Sequence, residues 1–536
     1  MLNTGLLILT NPNRIMMLLS FIKKHVLKTL YIQYLPEQSL ITPGNHSIQL
    51  PPLSHYSQII VNIYKSAINS CSRLDIRILL AHIKNPAFTI INTKNPVDLI
   101  IFDQAYNTQI VDTFIQDCLV NISEGCSYIT FDNDEDDEAC SDMDQCSTQD
   151  LQTYKNVVLG GTFDRLHNGH KIMLSEAVLF SREKLTVGIT DTNMITGKLL
   201  WELIEPCSKR IADVTDFLED VDSSLTYDVL PIDDMYGPTK DDPTLEMLVV
   251  SEESRRGGDK INALRLQKNL NELVIHEIKL LIDEDHKPYE ESKVSSSNER
   301  IRLLDLFICF IYILYEYILI ILQISKDKPL KPYIIGLIGG IASGKTTLIE
   351  KVRKYGAGYV NCDEIAHDLY LPGKECFQAI VTHFGTGILN ADGFIDRKAL
   401  GDIVFNDQEQ LNTLNNLVWP LILEEAKRQM YELSIEGYNV IFMEAAVLIQ
   451  ANWQNECHEI WACIVPPEEA IKRIMRRNLL SEDEAKRRID MQPSNIDQVK
   501  EANVVICTLW DHSFTEKQVQ YAWDELMIYL SQDLLD

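Results

Sequence analysis

Two stretches of this sequence combine residue types and spacings suited to phosphate chemistry. In the first, His167 and His170 bracket Gly169 at the end of the run Gly160-Gly161-Thr162-Phe163-Asp164-Arg165-Leu166-His167-Asn168-Gly169-His170. An apolar run at 157–159 precedes it, so the pattern predicts a buried strand handing over to a helix through a glycine-rich turn. Gly169 lets the backbone approach a phosphate, and the helix's first N–H groups and dipole favour its charge. Histidines placed there can donate hydrogen bonds to the oxygens of a pentacovalent α-phosphate. No covalent nucleophile is needed when the acceptor's own phosphate attacks, because positioning and charge stabilisation suffice. Gly160, Thr162 and Phe163 are the candidate nucleotide contacts of the same turn, and Asp164 reads as a turn residue.

The second stretch, Gly339-Gly340-Ile341-Ala342-Ser343-Gly344-Lys345-Thr346, satisfies Gly-x4-Gly-Lys-Thr. A strand pattern at 333–338 comes before it and a helical run at 347–355 after it, which is the context that motif requires. Backbone N–H groups from Gly339 to Gly344 wrap a β-phosphate, Lys345 bridges β- and γ-oxygens, and Thr346 ligates Mg²⁺, with Thr347 completing the loop. Further on, Glu444 ends the apolar run 440–443 with a carboxylate, which makes it a candidate for water-mediated Mg²⁺ contact. A chain carrying both stretches implies two consecutive steps that use ATP as substrate and act on one metabolite.

The elements that must position these residues alternate. Strands are predicted at 157–159, 185–189, 226–232 and 248–250, helices at 169–180 and 209–220, and a strand or helix around 273–281. Such alternation implies parallel sheets with crossover helices, which bind ligands at their carboxyl edge. Residues 1–130 read as a mixed α/β region of unassigned chemistry, with ordered elements at 57–64 and 74–80. An acidic linker follows at 131–150, then an α/β domain at 151–282, a linker at 283–332 that is charged and Ser-rich over 283–298, and a second α/β domain at 333–536. Within that second linker an insert at 303–328 includes the stretch 306–324, apolar except for Glu316 and Gln323. Its length and basic flanks fit a membrane span; a packed or surface-lying helix, or translated intron sequence, fits as well.

The first motif block resembles the nucleotidyltransferase superfamily, specifically phosphopantetheine adenylyltransferases. The resemblance implies that Lys198 and Arg210 hold the acceptor phosphate and that Ser251 and Glu252 belong to an ATP-contacting loop. The second block is similar to dephospho-coenzyme A kinases. There Asn361-Cys362-Asp363-Glu364-Ile365-Ala366-His367 matches Asp-x-Asp-x-x-x-His, with Asn361 in place of the first Asp. The resemblance implies that Asp363 deprotonates a ribose 3′-hydroxyl. It also implies that Arg477, among Arg473, Arg487 and Arg488 on a polar helical pair, belongs to a lid closing on the transferring phosphate. Trp419-Pro420 replaces the family's His-Pro, so Trp419 either stacks on adenine or packs in the core. Together the blocks resemble eukaryotic bifunctional coenzyme A synthase. The fold implied is multidomain α/β: a Rossmann-like nucleotidyltransferase domain, then a P-loop kinase domain, behind an α/β N-terminal region. The substrates implied are ATP, 4′-phosphopantetheine and dephospho-CoA. An NMN adenylyltransferase fused to a ribosylnicotinamide kinase is the rival enzyme, and a non-catalytic nucleotide-binding scaffold the rival outside catalysis.

Composition bounds these readings. At 536 residues the chain has room for about three domains. A net charge of −29 excludes general nucleic-acid affinity, which needs a basic surface, while leaving small anions able to bind local N–H cradles. Twelve cysteines without a C-x-x-C pair point to a reducing compartment, and so to the cytoplasm. The first 36 residues contain no Asp or Glu, and Ile15, Leu18, Leu19, Ile22 and Val26 fall at roughly helical spacing. That composition fits either a mitochondrial-type targeting or peripheral membrane-anchoring segment, or the first helix or strand of a folded domain. Since one chain carries both sites, a monomer is expected.

Overall fold

The computed structural model describes residues 2–36, 51–71, 74–84, 90–131, 152–306, 331–404 and 407–532. It divides into two compact units, Met1–Glu299 and Arg300–Asp536.

The first unit holds two five-stranded sheets. One contains β1 (Leu2–Leu9), β2 (Val26–Tyr34), β3 (Asp75–Ile78), β4 (Val97–Phe102) and β5 (Ile122–Thr130), in the order β3-β2-β1-β4-β5. All its pairings are parallel. A parallel sheet is covered on both faces, so its strands read as continuous apolar runs. Accordingly, Leu6 to Leu9 at the centre are fully buried. The helix Ile15–Ile22 turns Ile15, Leu18, Leu19 and Ile22 into the core. Of the two readings of the first 36 residues, the structure shows the folded-domain one. The apolar face that fits a targeting segment is spent on packing in a β-α-β unit.

The other sheet contains β6 (Tyr154–Gly161), β7 (Ser181–Thr190), β8 (Thr226–Ile232), β9 (Met247–Ser251) and β10 (Val274–Ile278), in the order β10-β9-β6-β7-β8. The segment left open between strand and helix around 273–281 is thus β10, pairing in parallel with β9. Both sheets have one topology. The first strand lies central, the next two pair outward on one side, and the last two on the other. The chain therefore reverses direction beside β1 and beside β6, and a crevice opens at the carboxyl end of each. One apolar core joins the two sheets, running from Leu18, Tyr56 and Ile60 to Leu174, Val178 and Phe217.

Residues 283–298, expected as a linker, fold onto this unit. Ile282 bridges Lys293, Asn298 Nδ2 donates to Glu291 O at 2.8 Å, and Ser296 Oγ donates to Asp164 O at 2.9 Å. Polar composition concealed the order because side chain-to-backbone bonds, rather than apolar burial, hold the segment.

The second unit is built on β11 (Tyr333–Gly339), β12 (Gly358–Asn361), β13 (Val440–Glu444), β14 (Glu459–Ile464) and β15 (Val504–Cys507), in the order β12-β13-β11-β14-β15. Apolar clusters cover both faces, one under the helix Gln408–Ile435 and the other under the helix His512–Gln532. Trp419 packs against the first cluster. The described cysteines are mostly buried, and burial pushes the Cys362 and Cys463 thiols up to about 12. The acidic segment at 132–150 and residues 307–328 of the apolar insert lie outside the described residues. Among the described residues no helix is long and apolar enough to cross a membrane.

Candidate active sites

At the carboxyl end of β6 the chain turns sharply. Phe163 and Arg165 take left-handed backbone angles, φ 49° and 50°, and Phe163 is buried. A Cβ on Gly161 would stand 2.9 Å from the Phe163 ring, so only glycine fits beneath it. Asp164, fully buried, fixes the turn by accepting from Glu205 N at 3.0 Å and from Arg165 Nη1 at 2.9 Å. The chain then enters the helix Asn168–Phe180, with His167 as its N-cap and Nδ1 facing His170 N at 3.4 Å. The two imidazoles stack, centroids 3.7 Å apart, and Phe163 leans on His170 at 5.1 Å. Both rings thus sit at the helix N-terminus, beside the backbone donors that favour an anion.

The other first-site candidates differ in placement. Thr162 Oγ1 accepts from Thr190 Oγ1 at 3.0 Å at the ends of β6 and β7. Lys198 is exposed in the loop after the short helix Thr192–Ile195, on the same sheet edge. Leu159 pairs with Val249, so Ser251 stands at the carboxyl end of β9, the strand beside β6, and Glu252 follows at the start of a short 3-10 turn. Arg210 departs from expectation. It is 1% exposed, and its guanidinium donates to Glu205 O at 2.8 Å, Thr162 O at 2.7 Å and Thr190 O at 2.9 Å. Those bonds tie the ends of β6 and β7 together, so its charge is committed to the scaffold rather than presented to an acceptor phosphate.

In the second unit the buried strand β11 ends in the loop Gly339–Thr346. Gly344 has φ +97° and caps the helix Lys345–Lys354; a Cβ there would meet Thr508 Cγ2 at 2.8 Å. Lys345 Nζ donates to Gly339 O at 2.6 Å and lies 3.9 Å from Glu444 Oε1. The other Glu444 oxygen accepts from Tyr359 Oη at 2.7 Å. That hydroxyl's pKa is raised, first by burial and then by its bond to Glu444. Asp363 Oδ1 accepts from Ala446 N at 3.4 Å, and Asn361 caps the helix Cys362–Leu369 through Asp363 N and Glu364 N. The substitution at Asn361 therefore preserves a capping acceptor. Arg473 and Arg477 lie on the helix Pro467–Asn478 and line a cleft of about 1110 Å³ with the loop, Asp363 and Glu444. Arg487 and Arg488 lie in the last turn of the neighbouring helix Glu482–Asp490.

Comparison with known proteins follows this division. A family model described as Dephospho-CoA kinase matches residues 333–509. The dephospho-CoA kinase of Carboxydothermus hydrogenoformans is 40% identical over 186 residues, 35% of this chain and 90% of that protein. The chain belongs to the dephospho-CoA kinase family. The dephospho-CoA kinase of Symbiobacterium thermophilum is 36% identical over 190 residues, 35% of this chain and 80% of that protein. Among solved structures, the dephospho-CoA kinase from Campylobacter jejuni is 28% identical, covering 36% of this chain and 96% of that chain, with a TM-score of 0.29. Two further models match the first unit: COASY N-terminal domain over 3–103 and Cytidylyltransferase-like over 158–302. Those three domains in one chain match a bifunctional CoA synthase and support the last two steps of coenzyme A biosynthesis. The Cytidylyltransferase-like match runs through residues 283–298, the segment found folded on that unit.

Several residues at these sites carry no sequence signal. Ser296, from the supposed linker, lies 3.5 Å from His167 Nε2. Gln492 Oε1 accepts from the phosphate-loop amide Ile341 N at 2.7 Å. Thr508 Oγ1 donates to Ser343 O at 2.7 Å and accepts from Arg473 Nη1 at 2.8 Å. In the kinase, only the burial of β15 and the Arg-rich helix hint that these groups converge on the loop.

Proposed function

We propose that His167 and His170 serve adenylyl transfer from ATP to 4′-phosphopantetheine, and that Lys345, Asp363 and Glu444 serve phosphorylation of the ribose 3′-hydroxyl of the dephospho-CoA so formed. One observation carries the reading: each set stands at the carboxyl edge of its sheet, the histidines after the central strand β6, and Lys345, Asp363 and Glu444 after or at the ends of β11, β12 and β13, where a parallel sheet binds ligands.

In the first step a phosphate oxygen of the acceptor attacks Pα of ATP, and the bond from Pα to the bridging oxygen breaks, releasing pyrophosphate. The stacked imidazoles donate hydrogen bonds to the oxygens on which charge grows, Gly169 keeps the backbone close, and Lys198 steadies the acceptor phosphate. Thr162, Ser251 and Glu252 bound the nucleotide. In the second step Asp363 takes the proton of the 3′-hydroxyl, whose oxygen attacks the γ-phosphorus while ADP leaves. Lys345 and the loop amides hold the β- and γ-phosphates, and Arg477 closes over the transferring group. Mg²⁺ suits this site, because it keeps most of its waters and substrate oxygens and needs few protein oxygens. Thr346 and, through water, Glu444 would hold it, offsetting phosphate charge. A monomer suffices, since one chain carries both sites.

The test gives the purified chain ATP, Mg²⁺ and 4′-phosphopantetheine and follows products by chromatography. Wild type should form coenzyme A, Lys345→Ala should stop at dephospho-CoA, and His170→Ala should form neither. Consumption of a nicotinamide nucleotide in place of 4′-phosphopantetheine would overturn the acceptor assignment.

A further inference from the structure

The sequence assigns no chemistry to the N-terminal sheet, yet that sheet reaches the His-x-Gly-His turn directly. Its helix Leu53–Ser70 runs antiparallel to the helix Asn168–Phe180. Ser57 Oγ donates to Glu176 near one end of the pair, and Asn168 Nδ2 donates to Tyr64 O at 3.2 Å at the other. Between these contacts stands Lys171, the residue after His170, which is 4% exposed. It donates to Asp75 Oδ1 at 2.5 Å and Ile76 O at 3.3 Å, both at the start of β3.

Asp75 passes the contact on. Its other oxygen accepts from Arg77 Nε at 2.8 Å, and Arg77 donates to Asp216 at 2.8 Å and Asp220 at 2.7 Å on the helix Cys207–Val221. Tyr31 Oη donates to that same Asp220 carboxylate at 2.7 Å. A buried ammonium without its partner costs far more than a surface one, so this chain of charges tolerates little rotation of either helix. The N-terminal sheet's own crevice is closed by the chain. Asp103, fully buried after β4, accepts from Thr10 N at 2.6 Å and Asn11 N at 2.7 Å, the amides a phosphate would use there.

We propose that the N-terminal sheet is a positioning body for adenylyl transfer. Through Asp75 on Lys171 and the Tyr64 carbonyl on Asn168, it fixes the rotation and advance of the helix that presents His167 and His170. Neither residue touches substrate; both act through the imidazoles. The inference rests on the adenylyl-transfer role of those histidines.

The test uses the full chain and measures pyrophosphate released from ATP by 4′-phosphopantetheine, with phosphorylation of added dephospho-CoA as the internal control. Misplacing a catalytic group by about 1 Å costs up to about 100-fold, so Asp75→Ala should lower the adenylyl-transfer kcat by about tenfold or more. KM for ATP and the kinase rate should stay at wild-type values. Asp75→Asn keeps an oxygen for the Lys171 ammonium and should restore most of the rate. Lys84→Met removes an interface pair to Asp222 that lies outside this chain of charges, and Asp222 still accepts from Ser224, so it should leave kcat unchanged. If Asp75→Ala does not fold, Asn168→Ala removes the other contact without stranding a charge and reads the same quantity. An unchanged kcat in a folded Asp75→Ala or Asn168→Ala chain overturns the proposal, and so does an equal loss in Lys84→Met. A wild-type chain that releases no pyrophosphate with this acceptor defeats the underlying assignment instead.

Discussion

Arg210 distinguishes a scaffold role from a phosphate-holding role. Its fork donates to three main-chain carbonyls, those of Thr162, Glu205 and Thr190. Arg210→Met leaves all three acceptors without that donor in a site that is 1% exposed. Each stranded acceptor costs about 1–3 kcal/mol, and removing a buried charge returns part of that, so a net loss of about 2–6 kcal/mol is expected. Arg210→Lys keeps the charge, but an ammonium cannot reproduce a planar fork reaching three carbonyls, so about half of that loss should remain. Hydrogen exchange of the peptides spanning β6 and β7, followed against urea, reports this region separately from the kinase unit. Both variants should lower protection there, and their residual adenylyl transfer should track the folded fraction. If Arg210→Met left exchange unchanged while abolishing transfer, or Arg210→Lys kept full rate and protection, the scaffold reading would be wrong.

Other consequences can be checked in the same chain. Gly344→Ala puts a side chain at φ +97° and 2.8 Å from Thr508, so it should abolish kinase activity and leave adenylyl transfer intact. Retained kinase activity would mean that the loop does not hold phosphate in this shape. Tyr359→Phe removes the hydroxyl that orients Glu444, and by analogy with outer-shell ligand partners should lower kinase kcat about tenfold without moving the adenylyl-transfer rate. An unchanged kcat would refute the orienting role. Acid should loosen the first unit. Burial pushes the Asp75 carboxyl up, but Lys171 and Arg77 outweigh it and hold the pKa below the ordinary value. The stability this pair contributes is therefore present above about pH 4 and lost as pH falls through the lowered value. The urea midpoint of β6 peptides should fall over that range in wild type and fall less steeply in Asp75→Asn; identical pH profiles would remove Asp75 as the cause.

Much of this was legible because it rests on local backbone demands. Gly339 to Thr346 must turn tightly and expose amides, and only a narrow set of residues permits that, so the loop announced itself. The strand and helix alternation at 157–232 was equally plain, because continuously apolar strands and amphipathic helices differ in period. What was hidden depends on distant partners. Arg210 looks the same in sequence whether it faces phosphate or carbonyls; only burial between β6 and β7 decides. The polar run at 283–298 reads as linker because its order comes from bonds such as Ser296 to Asp164, which have no period. The 36 residues at the start carry basic and apolar groups without acids, yet the strand pairings of β1 set their use.

The two sheets of the first unit share a strand order, and a crevice beside the first strand follows from that order alone. Their difference lies in what the chain places there. Neutral Ser251 ends β9, the strand beside β6; Asp103 directly follows β4, the strand beside β1. The Asp103 carboxylate accepts from the Thr10 and Asn11 amides and from the Thr10 hydroxyl. Burial nevertheless pushes its carboxyl pKa up, as befits an anion taken out of water. A carboxylate tethered a few ångströms from those amides has an effective concentration no free nucleotide can match. The first crevice is thus satisfied internally, and its helix, relieved of any nucleotide, has an Asn-Pro start in place of a histidine turn. The second sheet has Ser251 where the first has Asp103, and its buried Asp164 accepts from Glu205 N rather than from amides of the histidine turn, which carries His167 and His170. Topology made two crevices, and the charge of one side chain at the strand end separates the crevice that binds the chain itself from the one proposed to take substrate.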